Sequence, residues 1–118
     1  MSTDTDKVNL TYILECIGNV EELTAPGRST FEAAKHDRAA VLYYLQTMAE
    51  STQRLSEPLK AAQPEIDWVG ISGFRNRLVH SYLSVNMDVL WNVIEKYLPE
   101  LKQAATTMLK HLDDTEES

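Results

Sequence analysis

Four side chains suited to binding a phosphate and moving a proton lie between positions 73 and 82. Arg75 carries a permanent positive charge, Asn76 supplies an amide and His80 supplies an imidazole. Tyr82 adds a phenol two residues further along. Guanidinium groups hold phosphate oxygens through paired N–H donors, and histidine exchanges protons near neutral pH. The spacing therefore indicates a phosphate-binding site with a proton donor or acceptor beside it.

A helix through this segment would arrange the four side chains in two stripes. At about 100° per residue, Asn76 and His80 share one stripe, one turn apart. Arg75 and Tyr82 share a second stripe, about 20° apart in projection. This second stripe projects into the apolar arc of the helix, which consists of Ile71, Phe74, Leu78, Val79, Leu83 and Val85. A guanidinium there must be paired or must reach a cleft, because burying an unpaired charge is costly.

Each of these residues alone also has a purely structural explanation. Arg75 fits a paired interface arginine, bonded to a carboxylate of the preceding long helix. His80 fits a half-buried histidine whose hydrogen bonds are satisfied. A single ionisable group on a helix favours such explanations, because these groups are common. The complete set favours a functional site.

The pattern R-N-x-x-x-H-x-Y resembles the signature of HEPN-domain ribonucleases, and its surroundings resemble the HepT toxin branch of that superfamily. The likeness continues upstream through Pro64–Trp68 and downstream through Trp91 and Leu98-Pro99. It extends over nearly the whole chain.

The resemblance implies an endoribonuclease that cleaves RNA without a metal, by attack of a ribose 2′-hydroxyl on the adjacent phosphorus. His80 would act as general acid or base, and Arg75 would bind the non-bridging oxygens. Asn76 would orient His80 or donate a hydrogen bond to the phosphate. Because one chain offers one imidazole at the motif, the resemblance also implies a homodimer in which two motifs share a cleft.

In the same branch, Tyr82 resembles an acceptor of AMP from a cognate nucleotidyltransferase antitoxin of the MntA type. The chain would then be the toxin of a type VII-like toxin–antitoxin pair. The alternative for Tyr82 is packing at the dimer seam, and both roles are compatible. Related chains often carry a Gly-Glu step on the second helix, and this chain departs from it with Ala49-Glu50 at the corresponding place. Glu50 is interpreted as a polar partner near the motif, without a catalytic role.

Two other classes of function stay open. The chain fits a noncatalytic helical partner that binds substrate for a minimal nucleotidyltransferase, or a structural dimerisation bundle. Its net charge of −7 and pI near 4.8 favour the first of these over a general RNA-binding platform, which needs a basic surface. RNA contacts must therefore be local, through Arg75 and four further basic side chains: Lys35, His36, Arg38 and Arg77.

Composition predicts one domain spanning residues 1–118, with a disordered acidic tail at 113–118. Apolar stretches fall short of the roughly 20 residues that cross a bilayer, and the N-terminal residues do not resemble a signal peptide. With Cys16 as the single cysteine, we expect a cytoplasmic protein with a buried, inert thiol and no membrane or DNA partner. The histidines lack zinc-site spacing and the Gly70-x-x-Gly73 step is no phosphate loop, so no metal or cofactor is predicted.

The apolar periodicity predicts an all-α fold, a compact antiparallel bundle of four to five helices. The first helix is predicted over residues 6–23. A capping box at Ser29 and Glu32 is predicted to open a second helix that ends near residue 55. Pro58 suits the start of a short helical turn.

The remaining predictions concern the second half of the chain. Asp67 is predicted to cap the motif helix, and Gly70 and Gly73 to permit close helix packing. Asn86 or Asp88 begins a last helix to about residue 112, which Pro99 kinks or splits after residue 97. Trp68 and Trp91 favour core packing over stacking on a base.

Overall fold

The computed structural model describes the backbone of residues 2–81 and 84–117, and the side chains of residues 4–81 and 84–115. Its helices are α1 (Ser2–Thr24), α2 (Arg28–Ala33), α3 (Lys35–Gln53), α4 (Glu57–Ala61), α5 (Trp68–His80), α6 (Met87–Asn92) and α7 (Leu98–Glu117). A π-helical turn at Val93–Tyr97 joins the last two. The described backbone contains no strand, and the predicted all-α class is confirmed. The segments outnumber the predicted four or five helices because two predicted helices divide.

Helices α1 and α3 lie antiparallel. Asp6, near the start of α1, accepts hydrogen bonds from the backbone and hydroxyl of Ser56, just beyond α3, at 2.9 and 2.8 Å. Further along α1, Tyr12 donates to Thr47 at 3.0 Å. Residue numbers therefore increase along α1 in the direction in which they decrease along α3.

Helix α7 is antiparallel to α1 by the same reasoning. Lys7 pairs with Asp113 at 2.9 Å, and Glu21 pairs with Lys102 at 3.0 Å. The three long helices enclose the core, whose most deeply buried large side chains include Leu10, Ile13, Ile17, Phe31, Leu45, Leu78, Leu90 and Met108. Burial of such side chains supplies the main favourable term in folding.

The predicted capping box is wrong. Ser29 lies inside α2, and the residue at the N-cap is Gly27, with a φ of 106° in the left-handed region that favours glycine. Glu32 instead pairs with Arg28 one turn earlier, at 2.6 Å. The predicted second helix divides at Ala34, whose φ of −96° and ψ of 85° are not helical.

The motif helix α5 begins as predicted, with the Asp67 side chain accepting from the backbone N–H of Gly70 at 2.9 Å. Gly70 serves this cap, because an added Cβ would lie 2.3 Å from an Asp67 carboxylate oxygen. The helix packing predicted for Gly70 is therefore replaced by a local contact. An added Cβ at Gly73 would meet nothing within 4 Å, so no neighbouring helix approaches Gly73 closely in the described part of the chain.

Helix α5 ends at His80, earlier than the predicted apolar arc, which runs to Val85. Ser84 lies in a 3₁₀ turn, and Asn86 caps α6 by accepting from the backbone of Asp88 and Val89 at 2.8 and 3.2 Å. An N-cap residue has extended backbone angles, so the chain must leave the helix before Asn86.

Pro99 follows a change in helical geometry. The π-helical turn ends at Tyr97 and α7 begins at Leu98, whose backbone angles stay right-handed helical, so the helix is distorted before the proline but not broken. The acidic tail was predicted to be disordered, and its described backbone, residues 113–117, continues α7. The pair between Asp113 and Lys7 ties this end to α1. Ser118 lies outside the described residues.

Both tryptophans pack within the protein, as predicted. The Trp68 indole donates to the backbone carbonyls of Lys60 and Gln63 at 3.1 and 3.2 Å. Trp91 packs against Phe31 with the ring centroids 5.7 Å apart. These contacts occupy the rings in holding helices together.

Cys16 is buried, as predicted. Desolvation by burial raises the pKa of its thiol, which keeps it protonated and unreactive. None of the helices in the described part of the chain is both long and apolar enough to cross a membrane.

Candidate active site

Arg75 is held by a carboxylate from α3. Its Nη2 lies 2.8 Å from Oε2 of Glu50, and its Nε donates to the same oxygen at 3.3 Å. The two side chains are 29% and 25% exposed, so the pair is half-buried at the α3–α5 contact. The structural explanation offered for Arg75, pairing with a carboxylate of the preceding long helix, is confirmed. Such pairing does not exclude a functional role, because a guanidinium has five N–H donors.

Asn76 lies beside Arg75 and is exposed. Its side-chain oxygen accepts from Arg75 Nη1 at 3.3 Å. Glu50 and Asn76 thus contact the guanidinium from two helices, and together they limit the directions in which it can turn.

His80 is the last residue of α5 and is exposed. The half-buried histidine offered as an alternative is therefore wrong. Helical geometry places His80 one turn from Asn76 on the same side of α5. Its imidazole is accessible to a substrate arriving from solvent.

Tyr82 lies outside the described residues. Because α5 ends at His80, the predicted common helical stripe of Arg75 and Tyr82 stays a prediction.

The other basic side chains divide into near and distant groups. Arg77 lies two residues from Arg75 and is exposed. Lys35 begins α3, 15 positions before Glu50, which places it roughly 22 Å away along the helix axis. His36 follows Lys35, and Arg38 donates to the backbone carbonyl of Glu32. Of the four basic residues suggested for RNA contact, Arg77 is the one nearest to Arg75 along the chain, but two helical residues are about 200° apart, so it projects from the opposite side of α5.

A cleft of about 490 Å³ lies on a different face of α5. Gly70, Gly73, Phe74 and Arg77 line it from α5. Side chains of Val93, Tyr97, Leu98 and Leu101 line the opposite wall. Arg75, Asn76 and His80 do not line this cleft. Asn76 and His80 are exposed and Arg75 is partly exposed, so all three are accessible from solvent.

Sequence reasoning did not assign Glu50 to the site, although it named this residue as a polar partner. The pair spans 25 positions and depends on how α3 and α5 are rotated against each other. The sequence feature that could have predicted this pair is the position of Arg75 in the apolar arc of α5, because a partly buried guanidinium requires a carboxylate partner.

The model of the "Ribonuclease HepT-like" family matches residues 13–108. This match covers α3 and α5, the two helices that carry Glu50, Arg75 and His80. The chain belongs to the HepT-like ribonuclease family. The predicted enzyme class, an RNA-cleaving enzyme, is confirmed by this membership.

Similar curated proteins are ribonucleases by name. A "Probable ribonuclease HepT" of Thermococcus cleftensis is 31% identical over 91 residues, which cover 76% of this HepT-like chain and 83% of the relative. A "Putative RNase MJ1380" of Methanocaldococcus jannaschii is 28% identical over 104 residues, covering 87% and 95% of the two chains. The same organism's "Gamma-glutamylcyclotransferase and putative RNase MJ0434" is 27% identical over 108 residues, covering 91% of this chain and 49% of the relative. None of the solved structures matches the chain.

Among the side chains that the structure describes, no three His, Cys, Asp or Glu residues are grouped to hold a metal ion. The side chains of Arg75, Asn76 and His80 offer positive charge, hydrogen-bond donors and an exchangeable proton.

Proposed function

We propose that this HepT-like protein is a metal-independent endoribonuclease and the toxin of a type VII-like toxin–antitoxin pair. The observation that supports it most is the presentation of a braced Arg75 guanidinium and an exposed His80 imidazole at one end of α5. In the reaction, the ribose 2′-oxygen bonds to the adjacent phosphorus and the bond from phosphorus to the 5′-oxygen breaks. The products are a 2′,3′-cyclic phosphate and a 5′-hydroxyl.

The three residues of the motif divide the work of this reaction. His80 takes the proton of the 2′-hydroxyl or gives a proton to the departing 5′-oxygen. Arg75 binds the non-bridging oxygens, where negative charge grows in the transition state. Asn76 donates from its amide nitrogen to the phosphate while its oxygen accepts from Arg75.

The cell-growth phenotype tests this toxin assignment. We expect expression of the chain alone to arrest growth, and expression of Arg75→Ala or His80→Ala to permit it. Equal arrest by all three proteins, at matched protein levels, would contradict the assignment.

The noncatalytic alternative is favoured by the net charge of −7, which opposes general RNA binding. In that alternative, the chain binds substrate for a minimal nucleotidyltransferase. This alternative predicts that the purified chain does not cleave RNA. The ribonuclease proposal predicts that the purified chain cleaves RNA without the nucleotidyltransferase.

A homodimer would supply the second imidazole that transesterification needs for separate base and acid. An exposed apolar strip on α5 supports this arrangement. Val69 is 83% exposed and Val79 is 40% exposed, on the two sides of Asn76 along the helix. Val69 and Asn76 are seven residues apart, which puts them on nearly the same side of α5. An interface between two copies of this strip would bring both motifs to one two-fold axis.

We expect sedimentation at micromolar concentration to show a dimer, and Val69→Asp to shift it toward monomer. Val69 lies at one end of the strip, where a carboxylate would lose its hydration against the apolar surface of the other copy, so desolvation opposes association. Val8→Asp is the matched control, because Val8 is 69% exposed on α1, away from α5. A monomeric wild-type protein, or equal dissociation of both variants, would contradict this interface.

Regulation by AMP transfer to Tyr82 completes the proposal, with a MntA-like nucleotidyltransferase as the partner. Each AMP would add bulk and negative charge two residues beyond His80. That charge would repel an RNA phosphate from the Arg75 region.

Tyr82→Phe should cleave RNA like the wild type and escape neutralisation, because the acceptor oxygen is missing while the ring is kept. Intact-mass measurement after incubation with the nucleotidyltransferase and ATP should show added AMP on the wild type alone. Tyr97→Phe, which removes an exposed phenol at the end of the π-helical turn, is the control and should still be modified. Modification of Tyr82→Phe to the wild-type extent would remove Tyr82 from the mechanism.

A further inference from the structure

The contact between Glu50 and Arg75 leaves a defined part of the guanidinium for a ligand. One carboxylate oxygen of Glu50 receives the Nε and Nη2 donors, and Asn76 receives one donor of Nη1. A guanidinium has five N–H groups in a planar fork. By this count, one N–H on Nη1 and one on Nη2 remain. Two donors on neighbouring nitrogens suit two oxygens of one phosphate.

The position of Glu50 on α3 makes it a firm support. Its neighbours Ala49 and Ser51 are buried, at 0% and 2% exposure, so the backbone beneath the carboxylate is fixed in the core. Leu78 is fully buried and anchors α5 three residues beyond Arg75. The carboxylate and the guanidinium are therefore carried by two helices that pack against each other.

We infer that Glu50 is a positioning residue, which holds the Arg75 guanidinium side-on so that its free terminal N–H groups face the scissile phosphate. This inference rests on the proposed ribonuclease function. It assigns no proton transfer to Glu50, because that carboxylate is engaged by Arg75 and half-buried. A guanidinium that is already oriented loses less conformational freedom when the transition state forms.

The two effects of Glu50 on catalysis have opposite signs. Its negative charge, 2.8 Å from Nη2, offsets part of the attraction between Arg75 and a phosphate. Its hydrogen bonds set the direction of the guanidinium. Removing Glu50 should therefore leave KM unchanged or lower it, while kcat falls.

The test compares Glu50→Ala with Glu50→Gln in steady-state cleavage of RNA. Glu50→Ala should lower kcat by about tenfold to a hundredfold, because the guanidinium is released from its orientation. Glu50→Gln should recover most of kcat, since a single oxygen accepts both N–H groups and an amide oxygen can replace it. Glu22→Ala, at an exposed glutamate of α1, makes the same charge change and should leave kcat unaltered.

Two results would overturn the inference. If Glu50→Ala folds and keeps the wild-type kcat, the contact is structural only. If Glu50→Gln is as slow as Glu50→Ala, the carboxylate charge acts directly and positioning is not its role. Circular dichroism and thermal melting identify any variant that is inactive because it is unfolded.

A binding measurement separates this inference from the proposed activity. The ¹⁵N–¹H signal of Arg75 Nε is followed while a 2′-O-methyl RNA, which lacks the attacking hydroxyl, is added. We expect a shift in the wild type and in Glu50→Gln, and a smaller, broadened response in Glu50→Ala. If the wild-type protein shows this shift but cleaves no RNA, the proposed ribonuclease function is contradicted. The inference that Glu50 positions Arg75 toward a phosphate would still stand. Equal responses in all three proteins would contradict the positioning, whatever the cleavage result.

Discussion

Replacing His80 with alanine is expected to lower the rate of RNA cleavage by about 10²–10⁴, the usual contribution of a positioned general acid or base. His80 is exposed at the end of α5, so removing its imidazole should leave the core intact. Cleavage of a labelled RNA is measured in the presence of EDTA, with wild-type and variant proteins at equal concentration. We expect wild-type activity to persist in EDTA.

His111→Ala is the matched control, because His111 is an exposed histidine on α7 and lies outside the motif. Its activity should equal that of the wild type. The ends of the products provide a separate check on the direction of attack. A 2′,3′-cyclic phosphate is expected on one fragment, whereas an ordinary 3′-hydroxyl would rule out attack by the 2′-oxygen.

Arg75→Lys is expected to be nearly as inactive as Arg75→Ala, with a loss of about 10²–10³ in kcat. Lysine keeps the charge but offers a compact ammonium in place of a planar fork. The difference between arginine and lysine is larger at this position because Glu50 and Asn76 together accept hydrogen bonds from all three guanidinium nitrogens. A lysine ammonium paired with Glu50 would have no second nitrogen to hold a phosphate oxygen.

Arg77→Lys tests whether such a loss is particular to Arg75. Arg77 is exposed and two residues away on α5, so the substitution keeps the charge near the site and should change kcat little. A lysine at position 75 with wild-type turnover would show that Arg75 contributes diffuse electrostatics and not directed hydrogen bonds. Kinetics at two salt concentrations would separate the two contributions, because screening weakens the diffuse one most.

Three local features of this protein were determined by its sequence, although the capping box predicted at Ser29 and Glu32 was not among them. Asp67 caps α5, Asn86 caps α6 and Pro99 falls in the first turn of α7, because each of these effects acts within one turn of a helix. The all-α class and the HepT-like family were likewise readable from periodicity and from the spacing of Arg75 to His80. Periodicity and motif spacing are both visible in the order of residues along the chain, without knowledge of how the helices pack.

Tertiary structure decided the features that depend on distant residues. Glu50 meets Arg75 across 25 positions only because packing sets the rotation of α3 against α5. The tail at 113–117 is helical because α7 lies along α1, where Lys7 reaches Asp113. A helix pattern specifies which side chains share a face but not which face of a neighbour they meet. That choice is made by the fit of buried side chains between helices, a property of the assembled core.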